Sequence, residues 1–195
     1  MIQLLLAASF GYLLGSIPFG YLLTRFGGGG DIRALGSRSI GATNVLRTGR
    51  KGLAAATLVL DVLKGAAAVL IAARSDEALV PLVAGCAAVL GHCTTIWMGG
   101  RGGKGVATGL GVVSCWAWPV GVAAGVVWLV MVKVTRISSL SSLVACALVP
   151  GMMWWLRGGA MGLAALFVVV VIVLRHHENI GRLLAGTESR IGGPK

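Results

Sequence analysis

Residues 106–134 read Val-Ala-Thr-Gly-Leu-Gly-Val-Val-Ser-Cys-Trp-Ala-Trp-Pro-Val-Gly-Val-Ala-Ala-Gly-Val-Val-Trp-Leu-Val-Met-Val-Lys-Val. The run is too long for one ordinary crossing of a bilayer core, which takes about 20 residues. Pro119 sits near its middle, with Trp116 and Trp118 beside it. Whether the run is one helix or two fixes the number of spans and the side on which everything after it lies.

The other apolar runs are clearer. They cover roughly 1–26, 53–73, 79–97, 140–156 and 160–174. The first lacks a basic leading stretch and an A-x-A cleavage site, so it reads as a retained helix rather than a signal peptide. Charge parity settles the doubtful run. Splitting it at Pro119 and placing the N-terminus outside puts 14 of the 17 basic residues, Lys195 among them, on one side; Arg74 and Arg157 lie opposite and Lys64 lies within a span. Left unsplit, the count is 9 against 7. Positive-inside bias favours the split: an all-α, polytopic membrane protein with seven transmembrane helices, the N-terminus outside and the C-terminus cytoplasmic. Asp76 and Glu77 then fall in an outer loop, and Trp154 and Trp155 at an outer helix end.

Composition agrees. Of 195 residues, 56% are hydrophobic and only 12% charged, against about 25% charged in soluble chains. One membrane-embedded domain over 1–195 is expected. The net charge of +11 points to anionic headgroups or an anionic substrate. No basic helix or RNA-binding pattern is present, so nucleic acid is not an expected partner. Cys86, Cys93, Cys115 and Cys146 have no metal-like spacing; they read as small hydrophobes, with neither zinc nor disulfides expected. The 31 glycines far exceed the usual ~7% share. Stretches such as 121–125 are expected to serve close helix packing alone.

Three polar segments fall on the cytoplasmic side. The first is Gly36-Ser37-Arg38-Ser39-Ile40-Gly41-Ala42-Thr43-Asn44-Val45-Leu46-Arg47. Its hydroxyl and amide side chains are suited to phosphate or hydroxyl binding, or to capping a short helix. Arg47 is its strongest phosphate ligand, through a bidentate fork. The second, Gly99-Gly100-Arg101-Gly102-Gly103-Lys104-Gly105, opens a helix. Its glycines can turn successive N–H groups onto one anion beside the Lys104 charge; otherwise it is a flexible positive loop. It is no Walker A loop, since Gly105 stands where Ser or Thr is required. The third runs from Arg175 to Glu188 and sets His176 and Asn179 at i,i+3 on one helical face, with His177 facing solvent. Ser138, Ser139, Ser141 and Ser142 open the sixth span, where hydroxyls also cap and pack helices. His92 reads as a supporting residue, and Asp61 with Lys64 as an intramembrane pair of structural or functional use.

Together these segments resemble the motifs of the PlsY family of bacterial acyl-phosphate:glycerol-3-phosphate acyltransferases. The likeness covers nearly the whole chain. It includes Gly15–Gly20, Gly41–Val45 with Arg47, Asp61–Gly65, Gly91-His92, Gly102–Thr108, Ser139 with Ser142, and Arg175–Glu188. Where the family usually has Gly-Asn, Phe-Pro and Phe-Lys, this chain has Arg38-Ser39, Thr94-Thr95 and Gly100-Arg101. The resemblance implies a multi-pass enzyme of the bacterial inner membrane, its site facing the cytoplasm, acting as a monomer without metal or cofactor. It implies acyl transfer from a fatty acyl phosphate to the 1-hydroxyl of sn-glycerol 3-phosphate, giving lysophosphatidic acid and phosphate.

Phosphate is already a good leaving group, so no covalent serine intermediate is required. The resemblance assigns catalysis to Lys104, His176, Asn179 and Ser139. It assigns substrate binding to Ser37, Thr43, Asn44, Arg47, Gly102, Gly103, Gly105 and Ser142. The His-x-x-x-x-Asp motif of other glycerol phosphate acyltransferases is absent, because Trp97, Gly181 and Arg182 stand five residues after the three histidines. The alternatives are a divergent paralogue with altered substrate, a small anion transporter, and a non-catalytic scaffold binding anionic lipid.

Overall fold

A computed structural model describes residues 1–192; Lys195, counted above with the cytoplasmic charges, lies outside them. Every regular element among the described residues is helical. The helices are α1 (Ile2–Ser16), α2 (Phe19–Phe26), α3 (Ala42–Arg47), α4 (Lys51–Ala72), α5 (Val80–Cys93), α6 (Val106–Trp116), α7 (Trp118–Thr135), α8 (Ser138–Arg157), α9 (Gly159–Arg175) and α10 (His177–Leu184). Five segments are long and apolar enough to cross a membrane: Ile2–Phe26, Lys51–Ala72, Val80–Met98, Trp118–Thr135 and Ser138–Arg157. The pair α9–α10, bent by 62°, makes a sixth if taken as one span, while α6 has only 11 residues.

The decisive run does divide, though not at its proline. The break falls at Ala117, whose backbone is extended at φ −155° and ψ 101°. Pro119 is the second residue of α7, a first-turn position where its missing N–H leaves no bond unmade. The first apolar run, expected as one helix, also breaks, at Ile17-Pro18. Proline withdraws a donor and frees carbonyls inside an apolar bundle, and polar side chains fill them. Lys64 Nζ donates to Ile17 O at 2.7 Å, and Thr95 Oγ1 to Ser16 O at 2.5 Å. At the Ala117 break, Arg157 Nε and Nη2 donate to Trp116 O at 3.1 and 3.0 Å.

α1 packs along α5 and α4, α6 along α4, α7 between α6 and α8, and α9 joins α8 to α5. Close approach of backbones explains part of the glycine content. A Cβ on Gly15 would lie 2.0 Å from Ala88 O, and one on Gly111 would lie 2.1 Å from Val62 O. The helix ends fall into two groups. Arg157 meets Trp116, whose indole N–H donates to Pro81 O at 3.3 Å; nearby in the chain, Ser75 reaches Gln3 at 3.4 Å. The other group gathers α3, the end of α5, the start of α6, the start of α8 and the α9–α10 bend.

Lys64 Nζ lies 2.8 Å from Asp61 Oδ1, and His92 Nδ1 lies 3.6 Å from the same oxygen, all three side chains at most 3% exposed. His92, near the end of α5, therefore stands beside the eleventh of the 22 residues of α4. Removing one partner of a buried pair strands the other charge, at about 3–5 kcal/mol. Lys64→Ala is expected to destabilise the protein by about that amount in denaturant titrations in micelles. Lys64→Ala combined with Asp61→Ala should recover a measurable part of the loss.

Candidate active site

The polar group of helix ends surrounds one cleft of about 350 Å³. Its head is lined by Ser37, Thr43, Asn44, Arg47, Lys104, Gly105, Ser139, Ser142, His176, Asn179 and Glu188. The three polar segments expected to converge do so. Below the head the cleft continues as an apolar arm past Leu110, Val113, Gly125, Trp128, Ala145, Val149 and Val168. One helical turn deeper on three of these helices lie Trp116, Val120 and Met153, at 2%, 0% and 0% exposure. They pack into the buried core beside the arm. Gly125, expected to serve helix packing, instead faces this space: a Cβ there would meet nothing within 4 Å.

The glycine loop departs from the nest expected of it. Gly102 N donates to Cys93 O at 3.1 Å and Gly103 N to His92 O at 2.9 Å. Their amides thus complete the exposed end of α5 and are already spent. Arg175 holds the outer side of the same turn, donating from Nε to Gly103 O at 3.2 Å and from Nη2 to Gly102 O at 3.3 Å. Glycine is needed here for proximity: a Cβ on Gly103 would stand 2.1 Å from His92 Nε2. The turn delivers Lys104 and Gly105, at φ +85°, to the start of α6. The groups free to meet an anion at this point are the Lys104 ammonium and the first-turn amides of that helix.

Asn44 is likewise occupied. Its Nδ2 donates to Ile32 O, Leu35 O and Ser39 O at 3.2, 2.9 and 2.9 Å, and its Oδ1 accepts from Ser37 N at 3.0 Å. It ties down the loop that carries Ser37. Ser142 donates to Ser138 O at 2.9 Å and accepts from Trp128 Nε1 at 3.1 Å, fixing the indole against the cleft. Thr43 pairs with Ser138 at 3.1 Å, and Arg47 Nη2 reaches Ser189 Oγ at 2.5 Å.

Glu188 is the site residue that pattern reading left out. Its Oε1 accepts from Ser139 Oγ at 2.8 Å and Asn179 Nδ2 at 2.5 Å; its Oε2 accepts from Arg182 Nε at 2.6 Å. Burial works to raise this carboxyl, but the three hydrogen bonds outweigh it and hold it below its ordinary value. One clue was available: Glu188 ends the segment that also carries His176 and Asn179. His177 is exposed, as expected.

His176 is 2% exposed, and its Nδ1 lies 2.7 Å from Ile172 O. Burial pushes the imidazole down to about 4, against the pull of that carbonyl, with Lys104 adding to the depression. A neutral ring whose Nδ1–H donates to the carbonyl keeps the Nε2 lone pair for another partner. Burial likewise pushes the Lys104 ammonium down to about 8; the Glu188 charge resists this, while Arg182 and Arg47 reinforce it.

A cleft that is cationic at its head and apolar along its arm, set among helices long and apolar enough to cross a membrane, marks an integral membrane protein with a site for both polar and apolar groups. The family model described as glycerol-3-phosphate acyltransferase matches residues 5–186, and the chain belongs to that family, the PlsY family. The glycerol-3-phosphate acyltransferase of Gluconobacter oxydans (strain 621H) is 52% identical, over 97% of this chain and 93% of its own. That of Mesorhizobium japonicum (strain LMG 29417 / CECT 9101 / MAFF 303099) is 56% identical, over 97% and 96%. Among solved structures, PlsY, an integral membrane glycerol 3-phosphate acyltransferase, matches in its glycerol 3-phosphate form with a TM-score of 0.91 and 38% identity, covering 96% of this chain and 95% of that one. Its lysophosphatidic acid form matches with a TM-score of 0.89 and 37% identity, over the same shares.

If the Lys104 cation holds a substrate phosphate, kcat/KM for a phosphorylated substrate should fall as pH rises through about 8, where the free ammonium loses its proton. Lys104→Arg should abolish that falling limb in a pH–rate profile, because guanidinium stays charged.

Proposed function

We propose that the chain transfers a fatty acyl group from an acyl phosphate to the 1-hydroxyl of sn-glycerol 3-phosphate, producing lysophosphatidic acid and inorganic phosphate. The observation that carries this reading is one continuous cleft: its head offers Lys104, Arg47, Ser37 and the start of α6 to phosphate, and its arm suits an alkyl chain. The related PlsY structures in glycerol 3-phosphate and lysophosphatidic acid forms support the acceptor and the product. The carbonyl–phosphate C–O bond breaks as the new ester C–O bond forms. Phosphate leaves with the electron pair, and the hydroxyl proton ends on that phosphate.

Lys104 and the helix start hold charge that develops on the carbonyl and the leaving phosphate. His176 Nε2 and Asn179 orient the attacking hydroxyl, with His176 poised to receive its proton in passing. Glu188 keeps Asn179 and Ser139 in register, and Arg47 and Thr43 close the phosphate end. Much of the rate gain then comes from placing hydroxyl and carbonyl in line. All groups named here come from one chain, so this reading needs no second subunit, and the family resemblance implies neither metal nor cofactor.

In the bilayer this reading has seven crossings, with the site-bearing end in the cytoplasm and the N-terminus outside. The positive-inside bias supports it, as does the placing of Arg157 at the end opposite Lys104. The short α6 is the fourth crossing, spanning about 16 Å at 1.5 Å per residue. Trp116, Val120 and Met153 pack into the buried core beside the arm, which argues against a conducting path.

Acyl transfer is to be measured with palmitoyl phosphate and glycerol 3-phosphate in reconstituted membranes. Lys104→Ala is expected to lower kcat/KM by about 100-fold or more, and His176→Ala by a similar factor. Undiminished product from both variants would remove this assignment. Gly125→Leu places a side chain in the arm, and its rate should fall more with long acyl donors than with short ones.

A further inference from the structure

A second cleft, of about 740 Å³, opens on the same end of the molecule. Ser37, Ser39 and Lys104 line both clefts and form a common wall. The outer cleft carries Arg33, Arg38, Arg101 and Arg175. Two of these are engaged: Arg33 lies 2.6 Å from Asp31 Oδ2, and Arg175 holds the glycine turn. Arg38 and Arg101 are exposed, and among the described residues neither side chain has a hydrogen-bond or ionic partner. Glu178 is the only acid at the cleft, and it lies 3.8 Å from Arg182.

Arg38 stands in the left-handed region, at φ +56°. A residue with a Cβ is strained there, and the motif this segment resembles usually carries glycine at that place. This chain thus keeps a strained, unpartnered cation at the mouth of its site where a glycine would rest easily.

We propose that Arg38 and Arg101 make the outer cleft an antechamber for a water-soluble phosphomonoester dianion, the acceptor glycerol 3-phosphate, which passes over the Ser37–Lys104 wall into the catalytic head. This rests on the function proposed above. The lipid donor reaches the inner cleft from the side instead, where Leu58 and Leu129 lie exposed at its rim. Paired cations do little at a distance, whereas unpaired ones converging on a cleft concentrate an anion and raise its arrival rate.

The test uses full-length wild type, Arg38→Gly, Arg101→Gln and Arg38→Lys in nanodiscs of neutral lipid. Binding of glycerol 3-phosphate is measured by calorimetry without donor, and steady-state rates are measured with both substrates. Arg38→Gly and Arg101→Gln are each expected to raise Kd and KM for glycerol 3-phosphate roughly threefold to tenfold. The kcat and the KM for acyl phosphate should stay unchanged, and the dependence on ionic strength should flatten. Arg38→Lys should restore binding, and Arg38→Gly, relieved of strain, should melt no lower than wild type. Unaltered Kd in both neutralised variants would overturn the proposal. So would an equal rise in KM for the lipid donor, or an effect seen only in anionic nanodiscs, which would mark these arginines as headgroup contacts. If wild type bound glycerol 3-phosphate with the expected arginine dependence yet transferred no acyl group, the antechamber would stand and the acyl-transfer reading would fall.

Discussion

Backbone carbonyls released at helix breaks inside an apolar bundle have no water to turn to, and leaving them bare costs several kcal/mol each. The fold is organised around that demand. Lys64 and Thr95 serve the Ile17-Pro18 break, Arg157 the Ala117 break, and Asn44 the loop before α3. The carbonyls of α5 are capped by glycine amides, whose own carbonyls are taken by Arg175. Lys64, Arg157 and Arg175 are consumed in this way. Arg38, Arg101 and Lys104, whose side chains have no hydrogen-bond or ionic partner among the described residues, line the outer cleft together.

The wall divides two solvents. On one side the cleft is open, cationic and suited to a hydrated anion; on the other it runs between α6, α7, α8 and α9 among aliphatic side chains. A reaction joining a water-soluble alcohol to a lipid acyl group needs such a boundary, and Lys104 occupies it. Burial lowers the proton affinity of its ammonium, while Glu188 counters the loss. Glu188 has a further use: a carboxylate that accepts from Ser139 of α8 and from Asn179 and Arg182 of α10 ties two helices together at the site.

Much of this was legible in the chain. Apolar runs and a scarcity of charge dictate membrane helices, and the three glycine-broken polar segments do come together around one cleft. Trp116 and Pro119 marked the divided run, although proline set the start of α7 and the extended Ala117 made the break. What escaped were pairings that depend on distance in space. His92 has no acid near it in sequence, yet Asp61 lies 3.6 Å away across a helix interface. Gly102 and Gly103 look like free donors until the end of α5 is seen to claim them, and Asn44 looks like a ligand until its amide is found tied to four backbone groups. Composition shows which groups can bond; only packing shows which are already taken.

α5 stops beside the midpoint of α4, and the glycine turn hangs from that stunted end. Lys104, at the end of that turn, is therefore held inward, part-buried and lining both clefts. On the proposed reading, a lipid donor can keep its tail in the leaflet while its head is processed, and the polar co-substrate comes to it from the water.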